Sequence, residues 1–183
     1  MKNLKHALVI IAAAMGGTLV LAAQPQRVSP QETVTATIDG DELKIVYSRP
    51  YTKDPKTGEP RQVWGKLVPY GKVWRTGANE ATLFTTTLPI KLGGTSVPAG
   101  TYSLFTLPAE DGTAKLIINK QTGQWGTRYD QKQDLARVDL KKETLEKAVD
   151  QFTMAIEPNP AGGGAIQMRW ETTQYSVAFT VEK

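Results

Sequence analysis

The densest cluster of side chains able to do chemistry is Trp74-Arg75-Thr76-Gly77-Ala78-Asn79-Glu80-Ala81-Thr82. Glu80 is its only carboxylate and the best single candidate for a general acid or base, with Arg75 and Asn79 as groups that would clamp a substrate. Arg75 can also pair with Glu80 in bidentate geometry. Such a pair lowers a carboxyl pKa and suits a salt bridge better than acid catalysis. Asn79 can fix a turn in the left-handed region after Gly77. The string therefore reads either as a site around Glu80 or as a polar network locking a turn to a sheet. The second reading is preferred, and such a network is demanding because every member must be satisfied.

Immediately upstream, the stretch from Arg49 to Arg75 holds seven basic residues (Arg49, Lys53, Lys56, Arg61, Lys66, Lys72 and Arg75) against two acidic ones, Asp54 and Glu59. Tyr51, Trp64, Tyr70 and Trp74 interleave with them. Aromatic faces pack on the apolar faces of sugar rings, and guanidinium forks hold carboxylate or phosphate. The expected ligand-binding set is Arg49, Trp64, Tyr70, Trp74, Arg75, Asn79 and Glu80. The competing expectation is a solvated loop whose Trp rings close one end of the fold, because Trp is usually largely buried.

The residue inventory excludes much. The chain of 183 residues has no Cys, and its one His is His6. Downstream of His6 there is no imidazole or thiol, so Ser-His-Asp and Cys-His catalysis, His/Cys zinc sites, disulfides and lipid attachment through a cysteine are all unavailable. No metal and no cofactor is expected. Asp39-Gly40-Asp41 reads as a hairpin rather than a calcium loop, since a hard cation needs more oxygens. Gly162 to Gly164 lacks the Lys-Ser/Thr ending of a phosphate loop.

Lys2, Lys5 and His6 precede an uncharged run from Ala7 to Ala23. A basic start, an apolar middle and small residues at the end describe a secretory signal at residues 1–23, cleaved after Ala22 or Ala23. Residues 24–183 then form the mature domain, periplasmic or secreted, not a lipoprotein and without a stable membrane span. An uncleaved anchor is the alternative, although the run is slightly short for one. The formal charge of +4 counts Lys2 and Lys5. Losing them leaves little excess charge, so nucleic acid is not an expected partner.

The elements that must position these residues follow from alternation with period two. Val34, Ala36 and Ile38 alternate with threonines, Asp39-Gly40 makes a hairpin turn, and Leu43, Ile45 and Tyr47 continue on one face. Ala81 to Leu88 is β-prone. Ile90 to Leu92 and Thr95 to Val97 flank Gly93-Gly94, and Gly100 to Leu107 pairs with Ala114 to Asn119. Phe152, Met154 and Ile156 alternate, as do Ile166, Met168 and Trp170, then Tyr175, Val177, Phe179 and Val181, with a C-terminal hairpin expected at Thr172-Thr173. The one helical candidate is Lys141 to Val149. The sum is an all-β fold, an antiparallel β-sandwich (jelly-roll-like) of about 8–10 short strands with at most one short helix.

Pro69 to Thr82, PYGKVWRTGANEAT, resembles the hallmark of the bacterial domain-of-unknown-function 2911 family (DUF2911). SPQETVTATIDG (Ser29 to Gly40), VYSRP (Val46 to Pro50), PAGTYSLFTLP (Pro98 to Pro108) and LIINKQTGQWG (Leu116 to Gly126) carry the same resemblance. It spans essentially the whole mature chain. It implies an exported bacterial protein and supplies no catalytic residues. Tyr51 to Gln62 is longer and richer in Lys and Pro than the resemblance leads one to expect, as a loop insertion would be. The preferred function is a non-catalytic module that binds a glycan or an anionic envelope ligand. The alternatives are a carboxylate-dependent hydrolase centred on Glu80, which needs a second acid, and a structural or protein-interaction domain.

Overall fold

A computed structural model describes residues 27–182. The expected signal at residues 1–23 lies outside the described residues. Nine strands run as β1 (Gln31–Ile38), β2 (Asp41–Ser48), β3 (Thr82–Thr86), β4 (Ile90–Leu92), β5 (Thr95–Val97), β6 (Gly100–Pro108), β7 (Ala114–Asn119), β8 (Asp134–Pro158) and β9 (Gly164–Val181). The only helical element among the described residues is a 3₁₀ turn at Gln131–Gln133. All pairings between these strands are antiparallel, and the strands form one open sheet in the order β1-β2-β3-β6-β7-β8-β9-β4-β5. The all-β antiparallel class and the strand number match the expectation, while the hydrogen-bond ladder is continuous rather than split between two sheets.

β8 provides that continuity. Its residues from Asp134 to Leu140 pair with β7, and those from Lys141 onward pair with β9. Strands far apart in that order nevertheless face each other. The Tyr47 ring of β2 meets Phe152 of β8 edge-on at 5.8 Å, and its hydroxyl accepts a 2.9 Å bond from the Met154 amide.

Alternation places the core as read from the sequence. Leu43, Ile45 and Tyr47 are buried while Glu42 and Lys44 are exposed. They join Phe84, Leu104, Leu116, Phe152, Ile166, Met168 and Trp170 in one apolar cluster. Each such side chain contributes roughly 1.5–3 kcal/mol by leaving water. Ala81, Phe105 and Ile117 form a second, smaller cluster with Val73 and Tyr129, so β6 and β7 are apolar on both faces. The turns obey local chemistry. Asp39 and Gly40 have φ of 51° and 85°, and Gly93 and Gly94 have 54° and 85°, the all-positive signature that matches strand twist in two-residue hairpins.

Two expectations are corrected. Lys141 to Val149 is strand, not helix, because Lys141–Thr144 pair with Ser176–Thr173 of β9. Pairing partners override the modest helix propensity of Lys, Glu and Leu. The C-terminal segments are one strand, not a hairpin across Thr172-Thr173. β9 runs through that point with a register shift, and Glu171 adopts φ 51° opposite Val149. β8 carries extra residues between Thr144 and Val149 there, an irregularity of the kind that bends a strand without ending it.

Candidate functional site

The long stretch from residue 49 to residue 81 folds back onto the sheet through single bridges of Tyr51 with Gln151 and Trp74 with Thr106, and meets the loop after β7 through a bridge of Glu80 with Trp125. Trp74 and Thr106 exchange two backbone bonds, each of 2.8 Å. Just beyond, Thr76 (φ 51°), Gly77 (φ 145°) and Asn79 (φ 59°) reverse the chain. This is an unusual density of positive φ, and Thr76 in particular must be held there. Two hydroxyl contacts hold it. Thr76 Oγ1 lies 2.8 Å from Thr106 Oγ1, and Thr82 Oγ1 donates to the Thr76 carbonyl at 2.6 Å, all three residues being buried. Gly77 is required by space as well as by φ, since a Cβ there would sit 2.8 Å from the Ser48 carbonyl.

This turn delivers Arg75 and Asn79 to the wall of a cavity of about 230 Å³. Trp74, Trp170, Tyr51 and Leu67 supply its apolar surface, and Arg61 supplies a second guanidinium. Among the described residues, no carboxylate lines it. Among the described residues, Arg75 makes no ion pair, and the Nε atoms of Arg61 and Arg75 are buried without a hydrogen-bond partner. Burial draws the Arg75 pKa below its ordinary value, yet a guanidinium stays protonated at neutral pH. Arg61 donates through Nη2 to the Tyr51 carbonyl. Its charge also reaches Asp54, whose carboxyl is held low first by the Lys56 and Thr57 amides and last by Arg61 and Lys56. The Arg75 stem runs over Gly126, where a Cβ would lie 2.5 Å from Arg75 Cδ.

The other residues singled out from sequence lie elsewhere. Glu80 does not meet Arg75. Its Oε2 accepts from Arg27 Nη1 at 2.7 Å, and this bond leads the causes that lower its pKa. The expected Arg75–Glu80 pair is therefore corrected: Asn79, in the left-handed region, turns the chain between them. Arg49 is a stitch between strands. It donates through Nε to the Phe152 carbonyl (3.0 Å), through Nη2 to Thr153 Oγ1 (2.7 Å) and through Nη1 to Glu32. Trp74 is mostly core, stacked on Trp170 at 5.9 Å, and Trp64 packs edge-on between Trp74 and Tyr175. Tyr70 is partly exposed and does not line the cavity. Trp125, which bridges to Glu80, is 47% exposed.

Of the residues singled out from the sequence, Trp74, Arg75 and Asn79 line one cavity. Sequence reading missed Arg61 as their companion, Gly126 as the bed of Arg75, and Arg27 as the partner of Glu80. Arg61 was visible as a member of the basic stretch, but nothing in the sequence separated it from the lysines. Glu171 was missed as well. It lines an open groove beside Arg61 and Asp150, and burial raises its pKa against the lowering effect of a bond from the Val63 amide.

Among the described residues, no group of three His, Cys, Asp or Glu could hold a metal ion, and no helix is long and apolar enough to cross a membrane. A family model described as "Protein of unknown function (DUF2911)" matches residues 29–179. No curated protein and no solved structure matches the chain.

Proposed function

The chain belongs to the DUF2911 family, whose function is unknown, and from that premise we propose that it is a non-catalytic module that binds a small anionic ligand in the cavity between Arg61 and Arg75. The observation that carries this reading is the pairing of two guanidinium groups with a wall that contains no carboxylate. Arg61 and Arg75 each bury an Nε that has no hydrogen-bond partner, and an unsatisfied buried donor costs stability. A carboxylate or phosphate group offers the planar, acceptor-only partner that a guanidinium fork fits best. Tyr51, Leu67 and the edge of Trp74 supply apolar surface for the rest of the ligand. An acidic sugar or a phosphorylated glycan fragment combines these features. Such ligands belong to the cell envelope, in keeping with the export expected from the N-terminal pattern. The hydrolase alternative has less support, because Glu80 stands outside the cavity and in an ion pair.

The test is calorimetric titration of residues 24–183 with glucuronate, glucose 6-phosphate and glucose at low ionic strength. The two anions should bind and glucose should not. Arg75→Gln and Arg61→Gln should each weaken anion binding by about 10- to 100-fold, the equivalent of a lost charge-assisted hydrogen bond of ~1.5–3 kcal/mol. Equal binding of glucose, or no heat from either anion at millimolar concentration, would sink the reading.

A further inference from the structure

One wall of the cavity is not part of the sheet. Val28 and Ser29 line it, and they belong to the segment that enters β1. Val28 is 57% exposed, so hydrophobic burial does not hold this segment down. Among the described residues, three polar contacts do. Arg27 Nη1 donates to Glu80 Oε2 at 2.7 Å, Asn79 Nδ2 donates to the Ser29 carbonyl at 3.3 Å, and the Arg49 amide donates to the Pro30 carbonyl at 2.9 Å. Two of the three anchors, Asn79 and Glu80, sit on the same turn that presents Arg75.

Resting on the anion-binding reading, we infer that residues 27–30 are a strap that forms the removable wall of the cavity, and that Glu80 is its latch. Glu80 is then a positioning residue: it acts on the ligand only through Arg27, by keeping the strap against Asn79. The contacts have the strength such a device needs. An exposed ion pair adds little to stability, so the strap opens without unfolding the sheet behind it. Local opening of this kind belongs to the low end of a protein's stability range. The strap pivots where it enters β1 at Gln31, so lifting it breaks the Pro30–Arg49 bond together with the Arg27–Glu80 pair. The strap also gives this turn two tasks that the sequence cannot separate, since Arg75 faces the ligand and Glu80 holds the door.

The experiment compares wild type with Glu80→Gln and, from the other side of the latch, Arg27→Gln. The ligand-independent readout is hydrogen exchange of the Arg49 amide, which is protected only while Pro30 is docked. The ligand-dependent readout is stopped-flow binding of glucose 6-phosphate, followed by tryptophan fluorescence. In both variants, Arg49 exchange should speed up about fivefold or more, and the association and dissociation rates should rise together while the dissociation constant moves less. Unchanged Arg49 exchange in both variants would overturn the strap. Faster exchange with unchanged binding rates would overturn its role as a gate. If wild type binds no anion but Arg49 exchange still rises in the variants, the binding reading has failed and the latch stands.

Discussion

The Glu80 carboxylate takes its 2.7 Å hydrogen bond from Arg27, a residue 53 positions upstream, and not from Arg75 on its own turn. Both partners are partly exposed, at 48% for Arg27 and 38% for Glu80. The pair is a surface contact that bridges the segment before β1 to the turn, so its loss should cost little. Glu80→Gln is expected to lower the thermal midpoint by no more than about 2–4 °C, the shift that ~1 kcal/mol produces in a domain of this size. A fall of roughly 8 °C or more in calorimetry would mean that Glu80 holds the fold and is more than a latch.

Asp41 should behave in the opposite way. It is fully buried and accepts bonds from Thr86 Oγ1 (2.5 Å), Thr87 Oγ1 (2.8 Å), the Thr87 amide (2.8 Å) and the Leu88 amide (3.0 Å). Burial alone would raise its pKa, but the four bonds together outweigh burial and hold it below the usual carboxylate value. A depressed folded pKa contributes stability that is complete above the unfolded value near 3.9 and is lost as pH falls through the folded value. Wild type should therefore lose part of its stability below about pH 4, and Asp41→Asn should show a shallower acid loss from a lower starting point. Asp41→Ala, which leaves the donors unpaired, is expected to cost about 3 kcal/mol or more. Thermal melts at stepped pH values check both statements.

Gly126 tests how Arg75 is held. A methyl group there would meet Arg75 Cδ at 2.5 Å, Arg75 Cβ at 2.7 Å and the Asn79 carbonyl at 2.9 Å. The Asn79 carbonyl also accepts the Gly126 amide at 2.9 Å, so the two loops have little room to part. Gly126→Ala should cost about 1–3 kcal/mol from overpacking and should weaken anion binding by pushing Arg75 out of place. Gly123 is the comparison in the same loop. A Cβ there meets nothing, although its φ of 79° carries backbone strain. Gly123→Ala should lower the melting point while leaving the affinity of the folded protein near wild type. Equal affinities for the two variants would remove Gly126 from the account of the site.

Arg49 is expected to matter for stability and not for ligands. Its three nitrogens tie β1 to the part of β8 that carries Phe152 and Thr153, and Gln151 Nε2 returns a 3.1 Å bond to the Arg49 carbonyl. A lysine cannot reproduce that fork. Arg49→Lys should destabilise by about 1.5–3 kcal/mol, the range for bonds to a charged group, with glucose 6-phosphate affinity unchanged in titration at a temperature where both proteins are folded. A tenfold loss of affinity without a change in melting would return Arg49 to the binding site.

Much of this architecture was legible because its causes are local. The alternation of Leu43, Ile45 and Tyr47 specifies a strand with one buried face, and Asp39-Gly40 and Gly93-Gly94 specify tight hairpins through their tolerance of positive φ. The absence of cysteine, and of histidine beyond His6, restricts the chemistry before any fold is known. The grouping of Trp74, Arg75 and Asn79 was legible for the same reason: they are neighbours on one turn.

Tertiary structure decided everything that depends on a partner distant in sequence. Lys141 to Val149 became strand because β9 lay alongside it. Tertiary packing brought Arg61 to Arg75's cavity, set Glu80 against Arg27, and turned Arg49 from a ligand candidate into a stitch. Periodicity and turn chemistry act over a few residues and can be read along the chain. A guanidinium's choice among carboxylates, carbonyls and an open cavity depends on distances that only the folded sheet creates.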